Sequence, residues 1–265
     1  GIWTYNGSDN WTAATRWQDG QIAGGTNATA DFSKVDISGA RTVTLNGDRT
    51  IGTLLFGDAV NSDNDWVLQR AGVLMLNTTT GMPTISIANR TTTITAVLDG
   101  NQGFEKKRLG ALVLSATNTF TGPLVLNGGQ TTLDFSGSLS PASNIVDSGS
   151  VLSLAGGSSL IIKGKNSVTN SQTFSGLNLS NGLSIITVTN GSGGAAILNL
   201  GAINRNLGIV DFNLPYNGKI TTTTPNNDDI IGCYATVGSN TWARNGGSSG
   251  ILPYTAYSTN VFIAG

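Results

Sequence analysis

Residues 109–135 read LGALVLSATNTFTGPLVLNGGQTTLDF. Short apolar runs at 111–114, 124–126 and 132–135 alternate with corners made of Asn, Thr and Gly. Runs of about four residues are too short for helices, and their Leu and β-branched content suits strands. A chain that turns back so regularly lays strand upon strand.

The same rhythm extends in both directions. Candidate strands fall at 42–45, 53–56, 66–68, 73–76, 84–87, 93–98, 151–154, 160–163, 177–179, 183–189, 197–200, 209–214 and 230–237. Gly, Asn, Asp or Ser separates most of them, and no long window carries apolar residues at helical spacing. The fold class is all-β, and two architectures fit. One is a right-handed parallel β-helix, a β-solenoid with coils of about 20–25 residues. The alternative is a β-sandwich. Asn46-Gly47, Asn127-Gly128, Asn181-Gly182 and Asn217-Gly218 are hairpin turns in a sandwich and corners in a solenoid. Strand spacing without consistent two-residue turns favours the solenoid.

Three stretches resemble large secreted bacterial proteins with autotransporter-associated β-strand repeats. The pattern G-x-L-x-L-S-x-x-N-T-F-T-G at 110–122, followed by L-N-G-G at 126–129, is similar to the repeat itself. W-T-Y-N-G-S-D-N-W-T-A-A-T-R-W at 3–17 resembles the aromatic opening before such arrays, and R-T-V-T-L-N-G-D-R-T-I-G-T-L-L-F-G-D at 41–58 the strand pair that follows it. The segments at 174–179, 200–215 and 230–243 look like sequences common in the same proteins. The resemblance implies a parallel β-helix displayed on or released from a bacterial surface. It implies an activity much less strongly.

Three regions follow from these patterns. Residues 1–30 concentrate Trp3, Tyr5, Trp11 and Trp17 in a polar background, as suits a cap over the open end of a stack. The same aromatics could instead form a platform for surface glycans. Residues 31–214 read as solenoid repeats. Residues 215–265 form a C-terminal β segment that either continues the solenoid or mediates assembly. Its last strand-like run contains Val261, Phe262 and Ile263, which suit addition to another subunit's open edge. Self-association, head-to-tail into a homopolymer or surface lattice, is the expectation drawn from it.

Composition excludes much. Lys and Arg number 14 against 15 Asp and Glu, for a net charge of −1, which gives no electrostatic case for nucleic acid or an anionic membrane. Lys106-Lys107-Arg108 reads as a solvated turn. There is no histidine, which removes Ser-His-Asp and Cys-His triads and His-ligated metals. The lone Cys233 lies in an apolar run and reads as a buried structural thiol. The adjacent carboxylates Asp228-Asp229 beside Asn226-Asn227 read as a solvated turn rather than a glycosidase pair. Asp58, Asn61, Asp63 and Asp65 place oxygens at alternating positions and read as an ordinary Asx-rich corner, with a Ca²⁺ loop as the alternative. No stretch is long and apolar enough for membrane insertion. A chain that starts at Gly1 is expected to be a processed mature protein or a fragment. The expectation is a non-enzymatic extracellular or cell-surface β-solenoid, structural in role, with an adhesin or carbohydrate-binding module as the alternative and a polysaccharide hydrolase or lyase behind both.

Overall fold

The computed structural model describes residues 1–60 and 63–257. Strands that neighbour each other in sequence go to different sheets, and each strand pairs with one about a coil away. The longest sheet stacks Asp9–Asn10, Arg41–Leu45, Trp66–Arg70, Thr91–Ile94, Ala111–Leu114, Gln130–Asp134, Ser159–Lys163, Leu183–Thr189, Ile209–Asn213 and Ala235–Val237, all in parallel. A second sheet stacks Thr29–Phe32, Thr53–Phe56, Thr84–Ile87, Phe104–Lys107, Leu124–Asn127, Val151–Ala155, Gly176–Leu179 and Ala202–Arg205, also in parallel. Two three-stranded parallel sheets close further parts of the coil: Arg49–Ile51 with Val73–Leu76 and Val97–Asp99, and Thr169–Thr173 with Ala195–Asn199 and Gly218–Thr221. This is a parallel β-solenoid. A sandwich needs antiparallel hairpins, whereas the Asn-Gly pairs at 46, 127, 181 and 217 link strands of different sheets. Asn245-Gly246 does turn between antiparallel strands, in the terminal hairpin.

Register fixes the core. Val43, Leu68, Ile94, Leu114, Leu133, Ile162 and Val188 stand over one another in the long sheet, all buried. Side chains alternate faces along a strand, so one in-register column buries a Leu or its equivalent in every coil. Each such burial contributes roughly 1.5–3 kcal/mol, and the repetition is what makes the stack cooperative. Coil length is less regular than the sequence suggests. Leu112 sits on Thr131, a step of 19 residues, whereas Gln130 sits on Ser159, a step of 29. The longer coil carries the loop 136–143.

Where strands are missing, buried amides take over the pairing between coils. The Asn118 side chain accepts from Leu98 N–H and donates to the Ala116 and Ile145 carbonyls. Gln172, wholly buried, accepts from Val146 N–H and donates to the Val146 carbonyl. Without these partners the loop backbone would be buried unsatisfied.

Coil stacking runs on past residue 214, through Gly218–Thr221 and Ala235–Val237, and then changes direction. Thr241–Asn245 pairs antiparallel with Ala235–Val237, and Ile251–Pro253 pairs antiparallel with Thr241–Asn245. Ala243 and Ile251 are buried against the last coil, and Pro253 falls in the outermost strand, where a missing N–H does least harm. The strand expected over 230–237 is shorter than its apolar run. Asn227 and Ile230 form an antiparallel bridge with Asp228 and Asp229 in left-handed backbone (φ 49° and 72°) between them. A second turn, closed by the Ala235 N–H on the Gly232 carbonyl (3.2 Å), takes up the residues before Ala235. Cys233 is therefore exposed, not buried.

Candidate functional site

The N-terminal aromatics are brought together. Trp17 packs edge-on to Trp3 with ring centroids 5.3 Å apart, and Trp11 lies 5.3 Å from Trp17 and 5.4 Å from Phe32. Phe32 stacks on Phe56 of the next coil at 4.9 Å, and Trp66 continues the cluster. Each indole N–H donates to a backbone carbonyl: Trp3 to Tyr5, Trp11 to Ala23 and Trp17 to Trp11. All three are buried, so their faces are spent on each other and on the first coil, and none is presented to a sugar. Tyr5 alone of the four reaches the surface, and the Arg16 guanidinium lies 3.9 Å over its ring while pairing with Asp9 at 2.7 Å. Strand Asp9–Asn10 and the Ile2–Asp31 bridge tie this plug to both main sheets.

The acidic loop is built around Asp58. Its carboxylate is buried and accepts from the N–H groups of Ile37, Asp63 and Asn64 and from the Asn64 amide. Burial works to raise its pKa, but those hydrogen bonds outweigh it and hold the carboxyl below its ordinary value. Asp65 accepts from Thr91 N–H and lies 3.6 Å from the Arg90 guanidinium. Asp63 accepts from the Asn64 amide. Asp58 and Asp65 therefore face protein donors, an arrangement that pins two coils together. Asn61 lies outside the described residues. Among the described residues no group of three or more His, Cys, Asp or Glu is placed to hold a metal ion. Val261, Phe262 and Ile263 also lie outside the described residues. Asp228 and Asp229 are exposed at their turn.

Two features escape the sequence reading. Lys106 is fully buried, not in a solvated turn. It occupies the inward column Ala30, Leu54, Ile85, Lys106, Leu126, Leu154, Leu179 of the second sheet. Its ammonium donates to the carbonyls of Arg108 (2.8 Å), Gly110 and Gly128 (2.7 Å). Gly129 (φ 64°) suits only glycine here, because a Cβ would lie 2.7 Å from the Leu109 and Gly110 carbonyl oxygens and against Lys106 Nζ. Burial pushes the Lys106 pKa down to about 8. The signal available in the sequence was the alternation F-E-K-K at 104–107, which puts Lys106 on the same face as Phe104.

The second feature is a cleft of about 250 Å³ where the terminal hairpin meets the long sheet, lined by Thr236, Ser239, Asn240, Thr241, Trp242 and Tyr257. Buried Asp211 organises one wall by accepting from the Thr236 hydroxyl (2.6 Å), Ser239 N–H (2.7 Å) and the Ser239 hydroxyl (3.0 Å). The Thr241 hydroxyl donates to the Tyr254 carbonyl and lies 2.7 Å from the Tyr257 hydroxyl, fixing the other wall. A larger cleft of about 390 Å³ lies between the loop at Leu139 and the outer face of the long sheet near Gln69 and Arg70, and no aromatic side chain lines it.

These features define an elongated parallel β-solenoid with an aromatic plug at one end and a reversed hairpin at the other. Over 125 residues the chain is 43% identical to the adhesin BmaC autotransporter of Brucella suis biovar 1 (strain 1330), an alignment that covers 47% of this chain and 4% of that protein. The chain thus matches only a small part of this relative's length. No family profile matches the chain, and no solved structure matches it. The resemblance to autotransporter-type repeat proteins is borne out by this similarity together with the solenoid. Among the described residues no helix is long and apolar enough to cross a membrane.

Proposed function

We propose that this chain is a segment of a surface-displayed bacterial adhesin, with its coils acting as a stiff extension that carries adhesive faces away from the cell. The observation that carries the reading is the 43% identity to an autotransporter adhesin, found in a chain whose coils stack in parallel. The outer surface supports it. Its side chains form uncharged hydrogen-bonded rows across coils, such as Ser153, Asn178 and Asn204 (3.4 and 3.3 Å) and Thr173, Asn199 and Thr221 (3.1 and 2.8 Å). Such rows stiffen the stack and give amide and hydroxyl groups for contact, without the charge that catalysis on polysaccharides requires. The reading places the chain outside the cell and gives it a binding role and no catalytic one.

The test is display of residues 1–265 on a non-adherent bacterial host through a neutral membrane anchor. Adherence to epithelial monolayers several-fold above the anchor alone is the expected result. Surface-detected chain with no gain in adherence refutes the reading. Negative-stain microscopy of the purified chain addresses the self-assembling variant of this role, in which filaments or sheets form from the chain alone.

A further inference from the structure

The protein has five tryptophans, and four are used identically. Trp3, Trp11, Trp17 and Trp66 are buried, and each donates its indole N–H to a backbone carbonyl. Trp242 departs from this pattern. It is half-buried on the terminal hairpin, and its backbone N–H donates to the Tyr257 hydroxyl (3.2 Å), but its indole N–H meets no acceptor among the described residues, and no aromatic ring or cation among them covers its face. A side chain of this size left uncommitted beside a cleft is a recognition group rather than a core residue.

The surroundings fix the ligand chemistry. Hydroxyl, amide and aromatic groups line the cleft, and none of the lining residues carries a charge. Phosphate or carboxylate ligands need Arg, Lys or a backbone nest, so anionic ligands are not what this cleft selects. A sugar ring matches it, with one face of C–H groups for an indole and a rim of hydroxyls for amide and N–H partners. We propose that the cleft binds a neutral saccharide, its C–H face stacked on Trp242 and its hydroxyls held by the Asn240 amide and the Trp242 indole N–H. The volume fits one ring at the end of a glycan rather than a long stretch of polymer, since drug-sized pockets run to roughly 300–1,000 Å³. The walls are already rigid. Asp211 holds Thr236 and Ser239, and Thr241 is held against Tyr254 and Tyr257, so little ordering is left for binding to supply. The assignment deepens the adhesive reading by giving it a ligand class, and it is tested without cells, so either can fail while the other stands.

The experiment titrates the full chain with chitotriose, cellotriose, maltotriose and lactose, to about 10 mM, and with oligogalacturonate as the charged comparison. The readout is acrylamide quenching of tryptophan fluorescence, which reports Trp242 because the other four indoles are buried. At least one neutral saccharide is expected to protect the signal saturably. Asn240→Ala is expected to weaken that binding about tenfold with an unchanged unfolding midpoint, and Trp242→Phe to keep part of it by retaining a stacking face. Binding of the same sugar by calorimetry should vanish in Trp242→Ala. No protection by any neutral saccharide, protection only by oligogalacturonate, or calorimetric binding that survives Trp242→Ala each overturns the proposal. So does a Trp242 already shielded without sugar and released by deleting residues 258–265, since the chain's own end would then fill the cleft.

Discussion

The ammonium of Lys106 sits 2.7 Å from the carbonyl oxygen of Gly128, in an interior column whose other members are aliphatic. Three carbonyls from two successive corners converge on one ammonium, so this lysine joins coils where the ladder turns. Replacing it by Met keeps the length of the side chain but takes the donor from two buried carbonyls and a part-buried one. Lys106→Met is expected to lower unfolding free energy by about 1–3 kcal/mol, read from the urea midpoint. An unchanged or higher midpoint would show that relief from burying the charge outweighs the lost hydrogen bonds.

The same residue gives a pH signature. Burial lowers its pKa from 10.5 to about 8, so between those values the unfolded chain binds more protons than the folded one. Stability attributable to Lys106 therefore rises with pH across that window, by at most about 1.4 kcal/mol per pH unit, and is flat below it. Tyr234, whose pKa is raised by burial, adds an opposing trend above pH 10, so the useful range is pH 8–9.5. Wild-type stability minus that of Lys106→Met should climb over this range. A difference that stays level or falls contradicts the depressed pKa.

At the N-terminal plug, Trp17 touches Trp3, Trp11 and Phe32 at once. Trp17→Ala is expected to cost about 3–5 kcal/mol, against less than about 1 kcal/mol for the surface Tyr5→Ala. Equal effects in a urea titration would mean that the plug does not close the stack.

Asp58 clamps the chain at Ile37 to the loop before Trp66. Its folded pKa lies below 3.8, so its contribution is complete above that value and is lost as pH falls through the folded pKa. The stability gap between wild type and Asp58→Ala should hold from pH 7 to about 4 and narrow toward pH 2. A gap that does not change down to pH 2 would show that the charged form is not what the clamp requires.

The terminal hairpin covers the edge of Ala235–Val237. Truncation after Ser239 leaves that parallel strand open, and exposed edges associate. The truncated chain is expected to sediment faster, or to precipitate, compared with the whole chain at equal concentration. Identical sedimentation would mean that the edge is harmless.

Much of the architecture is legible in the sequence because stacking demands an apolar residue at the same phase of each coil. Leu112 and Leu114 announce themselves in that way, and the tryptophans at 3, 11 and 17 mark an end that must be covered. Elsewhere the signal disappears because interior positions are polar. No candidate strand falls at 169–173, yet Asn170 and Gln172 point inward and are satisfied there by backbone groups of their own and the neighbouring coil. Lys106 is half legible: the alternation with Phe104 turns it inward, but its partners are carbonyls, which no side-chain pattern records. The apolar run at 230–237 misleads in the opposite sense, since a turn at Gly232, closed by the Ala235 N–H on the Gly232 carbonyl, breaks it. The C-terminal cleft is invisible beforehand because Asp211 and Ser239 are one coil apart and meet only through the register.

Parallel stacking also determines how the molecule bears load. In each coil the interstrand hydrogen bonds run along the stack axis, so tension between the two ends opens coils one at a time like a zipper. At the C-terminal end the pull meets the reversed hairpin first, and Thr241–Pro253 must peel away before Ala235–Val237 is touched. The hairpin is thus a mechanical fuse that yields ahead of the coils and leaves the register behind it intact.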